Sequence, residues 1–423
     1  MAPMKVLISG GGVAGNALAF WLSKLGHNVT VVEWYPTLRA TGLQVDLRGH
    51  GIEVMKRMGL EQDFRSKAAP EQGLQVVDSS GRRRGFFPAN TSGKGLQNFT
   101  SEFEIMRGDL CNLLYEQTKD RAKYIFGTSI ESFEDKDGSV NVRFADGKTD
   151  RFDLLVGADG SGSRTRKMML GPDTPDPFHP IRGMYIGYFT MPRPIKKGEE
   201  YIATTYFAPG KRGIMTRRSS PDTLQVYVGF TADSDRLRDN RRGDVKQEKE
   251  VLAEVLQGAG WQTEEILKAL ADADDFYLEN IGLVRMETWS RGHVTLLGDA
   301  GYCPSANTGM GTTSAIVGAY VLAGELERHC GRSRTEAEAK DGIATALKAY
   351  EDKFRPFMDQ VIKDISDSES VWSNMMPSTA FGISILLFIV AVASFLRLNV
   401  IAKWILKENI KWDLPEYKEL LRD

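Results

Sequence analysis

The chain has 423 residues, 42% of them hydrophobic and 26% charged, with a formal net charge of -2. That length exceeds a single small core and accommodates two domains plus a terminal extension, enough to enclose a large cofactor. The charge balance excludes the basic excess of a nucleic-acid binder. Three cysteines (Cys111, Cys303, Cys330), with no CxxC and no histidine-rich neighbour, argue against a zinc site or a disulfide framework.

Met4 and Lys5 run straight into VLIS, so no cleaved leader is expected and an intracellular location follows. Lys5 to Ser9 reads as a buried strand, Gly10 to Gly15 (GGGVAG) as its turn, and Asn16 to Leu25 as a helix with Leu18, Leu22 and Leu25 on one face. Val29 to Glu33 completes a βαβ unit. Helical spacing returns over Gly51 to Leu60 and Asp109 to Lys119. Val140 to Val156 then reads as two alternating runs around an Asp146-Gly147 turn.

Between Gly183 and Phe230 the period is two. YIATTYFA, GIMTRR and LQVYVGF are separated by turns at Pro209-Gly210 and Ser220-Pro221-Asp222, which predicts an antiparallel meander. A charged helical stretch, Val245 to Ala273, follows. Val294 to Leu297 is another short buried strand, and a long helix is expected from Thr312 to about Arg328.

Three glycine-rich turns each follow an apolar strand. In the first, Gly10-x-Gly12-Val13-Ala14-Gly15 permits a tight turn and close backbone approach, so a pyrophosphate can sit on the following helix N-terminus. Glu33, at the end of the second strand, is placed to accept from adenosine ribose hydroxyls. The second, GADGSGSRTR, has Asp159 and Gly160 at a strand end and Arg164 and Arg166 opening a helix. Alone it reads equally as a polar turn with an aspartate cap.

The third, GDAGYCPSANTGMG, places Asp299 at a strand end and Gly309-Met310-Gly311 at a helix start. Asp299 can bond a ribityl hydroxyl. Backbone N–H groups at Gly309 to Gly311 can face a flavin pyrimidine edge, where the helix dipole favours negative charge. One extended cofactor accounts for all three turns.

In these motifs and their order the chain resembles the class A flavoprotein monooxygenases, the family of para-hydroxybenzoate hydroxylase and of tetracycline-inactivating flavin monooxygenases. The resemblance spans about residues 4 to 370. It implies an α/β fold: a Rossmann-like FAD-binding domain (1–75, 100–175, 285–370), a mixed, antiparallel substrate-binding sheet (76–99, 176–284) and a C-terminal helical extension (371–423). It further implies that Arg107 lies near the FAD ribityl and pyrophosphate, and that Arg39, Gln44 and Arg48 belong to a loop passing the flavin. Tyr302 departs from the histidine many members carry, and Gly301 from their second alanine.

By that resemblance, NADPH or NADH reduces FAD, O2 adds to give a C4a-hydroperoxide, and one oxygen passes to an electron-rich aromatic, phenolic or polycyclic substrate, in hydroxylation or epoxidation suited to secondary metabolism. The protein's part is to orient substrate and exclude water, and no catalytic acid or base is assigned. Two alternatives stay open: an FAD oxidase or dehydrogenase that desaturates or cyclises, and a non-enzymatic flavin-binding protein. Tyr206, Met215, Tyr227, Phe230 and Pro304 are the candidate substrate lining, with Arg212 or Arg217 as polar contacts. As strand aromatics, several of these suit a core equally well. His179 and His293 read as structural.

The C-terminus differs in kind. Thr379 to Leu396 is eighteen residues without a charge, at the lower limit for crossing a bilayer. Lys403, Lys407 and Lys411 recur four apart among Trp404, Ile405 and Trp412, the pattern of an amphipathic helix on a membrane surface or on protein. Membrane association and a helix covering the two domains are both compatible with it, and oligomeric state is open.

Overall fold

The computed structural model describes residues 3–38, 44–89, 103–232, 235–238, 244–331, 336–363, 376–396 and 410–421. In chain order, Lys5–Ser9 (β1), Val13–Lys24 (α1) and Asn28–Glu33 (β2) form the first βαβ unit. Gln44–Asp46 (β3), His50–Arg57 (α2), Glu61–Ser66 (α3), Gly73–Val77 (β4) and Arg83–Pro88 (β5) follow. Glu104–Met106 (β6) leads into Arg107–Glu116 (α4), Lys123–Phe126 (β7), Ile130–Lys136 (β8), Ser139–Phe144 (β9), Thr149–Phe152 (β10), Leu154–Gly157 (β11) and Arg164–Leu170 (α5).

Next come Phe178–Pro192 (β12), Ile202–Ala208 (β13), Arg212–Arg217 (β14), Thr223–Thr231 (β15), Asp235–Arg238 (α6), Val245–Leu256 (α7), Thr263–Asp272 (α8) and Tyr277–Val284 (β16). Ser290–Arg291 (β17), Val294–Leu296 (β18), Asp299–Tyr302 (α9), Gly311–Cys330 (α10), Glu336–Ile362 (α11) and Ala380–Phe395 (α12) complete the described elements.

Two large sheets organise these. The six-stranded sheet runs β17-β18-β11-β1-β2-β7, and β1 pairs in parallel with both β2 and β11. Val6, Leu7 and Ile8 are fully buried, as a central strand covered on both faces requires. The second sheet has seven strands, β16-β12-β15-β14-β13-β4-β5. Its β13-β14-β15 portion is the expected meander, paired antiparallel throughout. β4 joins β13 in parallel and starts at Gly73, ahead of the boundary expected at residue 76.

Local differences have plain causes. The Val140 to Val156 run divides, because β10 pairs back on β9 while Leu154–Gly157 leaves to join β1. The charged helical stretch is two helices, interrupted where Gly258 and Gly260 take positive φ.

Register gives the seven-stranded sheet two distinct faces. Tyr206, Ile214, Val228 and Phe230 point to one face and pack with Leu252, Leu256, Ile266 and Leu270 of α7 and α8. Ile186, Tyr188, Met215, Arg217, Gln225 and Tyr227 point to the other, toward β3 and β6.

Thr379 to Leu396, left open by the sequence between membrane association and a helix covering the domains, is docked on the protein along one side. Ala380–Phe395 is a helix of 16 residues, and among the described residues no helix is long and apolar enough to cross a membrane. One side of α12 is docked on β5: a Cβ at Gly85 would stand 2.7 Å from Val390, and Ser394 Oγ donates to the Phe86 carbonyl at 3.0 Å. Residues 397–409, with Lys403, Trp404, Ile405 and Lys407, lie outside the described residues. Lys411 and Trp412 sit in a non-helical stretch, with Trp412 against Phe357 at 5.2 Å between centroids.

Candidate functional site

The three glycine-rich turns converge. Gly10 has φ +111, and a Cβ there would lie 2.5 Å from the Ala158 carbonyl oxygen, so the first and second turns touch backbone to backbone. A Cβ at Gly298 (φ +64) would stand 2.9 Å from the Ala14 side chain, which joins the third turn to the first. At Gly15 a Cβ would be 2.0 Å from the Gly10 carbonyl oxygen, so only glycine lets α1 start so close to β1.

α1 begins at Val13 after Gly12 with no side-chain cap, which leaves its first N–H groups for a ligand. Arg107, the first residue of α4, faces that N-terminus: its Nη2 is 3.4 Å from where a Gly12 Cβ would stand. The carboxylates of Asp299 and Glu33 both act on this guanidinium electrostatically. Glu33 accepts from the Gly11 N–H at 2.8 Å and the Tyr35 N–H at 3.0 Å, which orients its carboxylate at the end of β2. Together an uncapped helix start and an opposed arginine form a cradle able to hold a diphosphate.

The Asp159 side chain is engaged within its own turn. Asp159 accepts from Ser163 Oγ at 2.5 Å, and from the Thr165 N–H at 3.0 Å and its Oγ1 at 3.1 Å, so both carboxylate oxygens organise the turn that opens α5. Gly160 takes φ +80 with open space around it. Arg166 is fully buried and ties the second turn to the third. It donates to the Ser161 carbonyl at 2.6 Å, the Ala300 carbonyl at 2.9 Å and Asp176 at 2.8 Å.

At the third turn, desolvation pushes the Asp299 carboxyl above its ordinary range, opposed by a hydrogen bond from the Cys303 thiol and by the Arg107 charge. Gly309 has φ +63, and α10 starts at Gly311 after Met310, again without a side-chain cap. Arg48 is buried beside it. Its Nε is 3.5 Å from the position of a Gly309 Cβ, its N–H donates to Thr313 Oγ1 at 2.9 Å, and its Nη2 pairs with Asp46 at 2.5 Å. Tyr302 fills the room left by Gly318, where a Cβ would meet the phenol oxygen at 2.1 Å, and bonds Tyr350 at 3.0 Å. This accounts for a tyrosine in place of histidine: the side chain turns into the core, away from the turn.

Above this cradle lies the inner face of the seven-stranded sheet. Tyr188 packs on Tyr227 at 5.5 Å and on Tyr277 at 4.8 Å between centroids. The Gln44 N–H donates to the Tyr227 phenol oxygen at 3.2 Å, and burial pushes that phenol up to about 12 against the lowering field of Arg217. The Gln44 side-chain amide is 7% exposed, and neither its nitrogen nor its oxygen has a hydrogen-bond partner in the protein. Such a group requires a partner from a ligand or water.

Gly213 and Gly229 stand opposite each other in register on the same face as Met215 and Tyr227. A Cβ at Gly229 would meet nothing within 4 Å. Met376, just before α12, reaches to 3.2 Å of the Gly213 position, so the glycine floor ends at the C-terminal segment.

Not every residue expected at the substrate wall is there. Tyr206 and Phe230 lie on the opposite face, because strand alternation turns them into the layer under α7 and α8, and the Tyr206 hydroxyl donates to the Ala259 carbonyl at 2.6 Å. Arg212 donates to the Val255 carbonyl at 2.6 Å and the Gln257 carbonyl at 3.0 Å, closing the end of α7. Arg217 is on the inner face but is held by Glu71 and Glu104, each at 2.7 Å, in a fully buried cluster. Pro304 is buried after Cys303, whose carbonyl accepts from the Val284 N–H at 3.1 Å. His293 pairs with Asp135 at 2.9 Å, and His179 pairs opposite Leu283 on β12. Arg39 lies outside the described residues.

Sequence reasoning passed over Glu71, Glu104, Asp46 and the glycine pair. The paired strand glycines carried a legible signal, since glycine in a strand interior often marks close approach of a ligand. The carboxylates carried none, because their meeting depends on strands far apart in the chain.

Comparison with known proteins agrees with this geometry. The family model described as an FAD binding domain matches residues 3–364. The chain is 51% identical to the FAD-dependent monooxygenase asL4 of Sarocladium schorii, over 100% of both chains. It is 43% identical to the flavin-dependent monooxygenase eupH of a Phoma species, over 85% of each. Among solved structures it is similar to tetracycline destructase Tet(51), with a TM-score of 0.76 and 27% identity over 98% of this chain and 99% of that one.

Proposed function

The chain belongs to the FAD-binding-domain family of flavin-dependent monooxygenases, and on that premise we propose that it inserts one atom of O2 into an aromatic, phenolic or polycyclic small molecule. FAD is its cofactor, with NAD(P)H and O2 the standard co-substrates of the class. Bound FAD supplies hydride acceptance and oxygen activation. The uncapped start of α1 with Arg107 would hold its diphosphate, Asp299 a ribityl hydroxyl, and the Gly309 to Gly311 turn with Arg48 the polar edge of the ring.

The observation that carries the substrate reading is the inner sheet face: a side-chain-free floor at Gly213 and Gly229, walled by Met215 and Tyr227 and overlooked by the unpartnered Gln44 amide. A flat ring fits such a floor, and the amide offers one donor and one acceptor to fix its orientation. Likeness to a tetracycline destructase supports a polycyclic substrate. Burial raises the Tyr227 phenol to about 12, so it stays neutral at pH 7 while its oxygen accepts the Gln44 N–H.

The test is NADPH consumption by FAD-loaded protein against a panel of phenols and polycyclic aromatics, with product made under 18O2 weighed by mass spectrometry. One labelled oxygen per product is expected. An unlabelled product two hydrogens lighter than substrate would replace this reading with desaturation.

A further inference from the structure

α12 carries no charge anywhere on its circumference, yet only one side of it is covered. Ile383, Val390 and Ala393 are buried against the sheet edge. On the opposite side Phe381, Ile385, Phe388, Ile389, Val392, Phe395 and the following Leu396 are exposed, with Phe388 at 70% and Phe395 at 86%. At the helical step of 100° per residue these seven fall within one continuous stripe along about 24 Å of helix. No charged side chain occurs from Met376 to Leu396. An apolar patch of this size on a folded protein marks a contact surface.

The surroundings identify the occupant. Gly85 and Phe86, which hold the C-terminal half of α12, directly follow Arg82, Arg83 and Arg84, all three exposed. Among the described residues only Arg84 of these three is paired with a carboxylate, that of Asp78 at 2.8 Å, so this hairpin keeps a net positive charge. At the other end Gly210 donates its N–H to the Ser378 carbonyl at 2.9 Å, which brings Lys211 to the start of the helix. Phenylalanine, isoleucine and leucine on one side with cations at both ends suit an anionic lipid surface, where apolar side chains enter the acyl boundary and cations meet headgroups. Docking on β5 forbids α12 from standing upright across the bilayer and orients it in the membrane plane.

We propose that the exposed face of α12 seats this protein peripherally on anionic membranes. α12 and Met376 border the glycine floor of the sheet, so seating there places the substrate groove beside the lipid surface. The proposal stands on the exposed face and its flanking charges, and is independent of the substrate reading.

The test is flotation of the full-length FAD-loaded protein with phosphatidylcholine vesicles and with vesicles containing phosphatidylglycerol. Wild type should float with the anionic vesicles and less with the neutral ones, and added salt should weaken binding. Phe381→Glu with Phe388→Glu should lower the bound fraction by about tenfold or more, and Arg82→Glu with Arg83→Glu should abolish the preference for anionic lipid. Retained flavin absorbance and thermal midpoint certify that each variant is folded. Failure of wild type to float, or equal flotation of the phenylalanine variant, overturns the proposal. So does a dimer in light scattering that those same substitutions dissociate without any vesicle binding, since a second copy would then be the occupant.

Discussion

The backbone N–H of Gln44 donates to the phenol oxygen of Tyr227 at 3.2 Å, joining β3 near the flavin turns to the middle of the substrate sheet. Both residues are buried, so the bond ties β3 to the inner face of the sheet. Tyr227→Phe removes the acceptor and strands a buried N–H, at a cost of about 1–3 kcal/mol. A lower thermal midpoint and a higher KM for the aromatic substrate are expected. Unchanged values of both would remove this bond from the site's design.

Gly229 faces open space on the inner side of the sheet. Gly229→Phe therefore places a ring where the substrate is argued to lie without displacing a neighbour. The expected outcome is kcat/KM lowered by about tenfold or more, equivalent to 1.4 kcal/mol, with flavin content unchanged. Normal turnover of a bulky substrate by this variant would show that the groove lies elsewhere.

Arg107 supplies the cation opposite the start of α1. Losing a charge-assisted contact to a phosphate costs about 1.5–3 kcal/mol, so Arg107→Ala should weaken FAD binding by about ten- to a hundred-fold. Equilibrium titration followed by flavin fluorescence measures this directly. Gly15→Ala, whose methyl group would collide with the Gly10 carbonyl, should yield colourless protein.

Asp46 and Glu104 stand directly opposite each other across β3 and β6. Desolvation holds the Glu104 carboxyl well above its ordinary range, against the lowering field of Arg217 and with the raising fields of Asp46 and Glu71. A raised folded-state value means the native state binds the proton more tightly than the unfolded chain. The associated stability is complete below the ordinary glutamate range and is lost as pH rises through the folded value. Glu104→Gln keeps an acceptor for Arg217 and removes the titration, so its thermal midpoint should fall less than that of wild type as pH is raised. Parallel pH profiles would assign the dependence to other groups.

Phe230 and Tyr206 belong to the layer under α7 and α8. Phe230→Ala should destabilise by about 3–5 kcal/mol through cavity formation, read in chemical denaturation, while leaving KM within about twofold. A large KM effect at wild-type stability would return Phe230 to the substrate wall.

Much of the nucleotide half was legible in the residues. GGGVAG between two apolar strands, with Glu33 ending the second, is a local pattern whose steric reasons act within one βαβ unit. The meander was legible for the same reason, since period-two alternation and turn residues are properties of neighbours in the chain. Which face of the meander turns toward β3 and β6 was not, because alternation defines two faces without saying which layer covers each. Tyr206, Arg212 and Phe230 went to the helix layer on that account, while Tyr227 met β3. Asp159 carries the motif's most conspicuous carboxylate, yet its oxygens are taken up by Ser163 and Thr165.

The C-terminal apolar run marks the boundary most clearly. Its lack of charge determined that it forms an apolar helix that cannot stand alone in water. Only the tertiary structure decided that the helix ends at 16 residues and lies against β5 with its other side uncovered. The reason is contact across more than 300 residues of chain: Ser394 meets Phe86, and Val390 meets Gly85, whose missing side chain is the space the helix occupies.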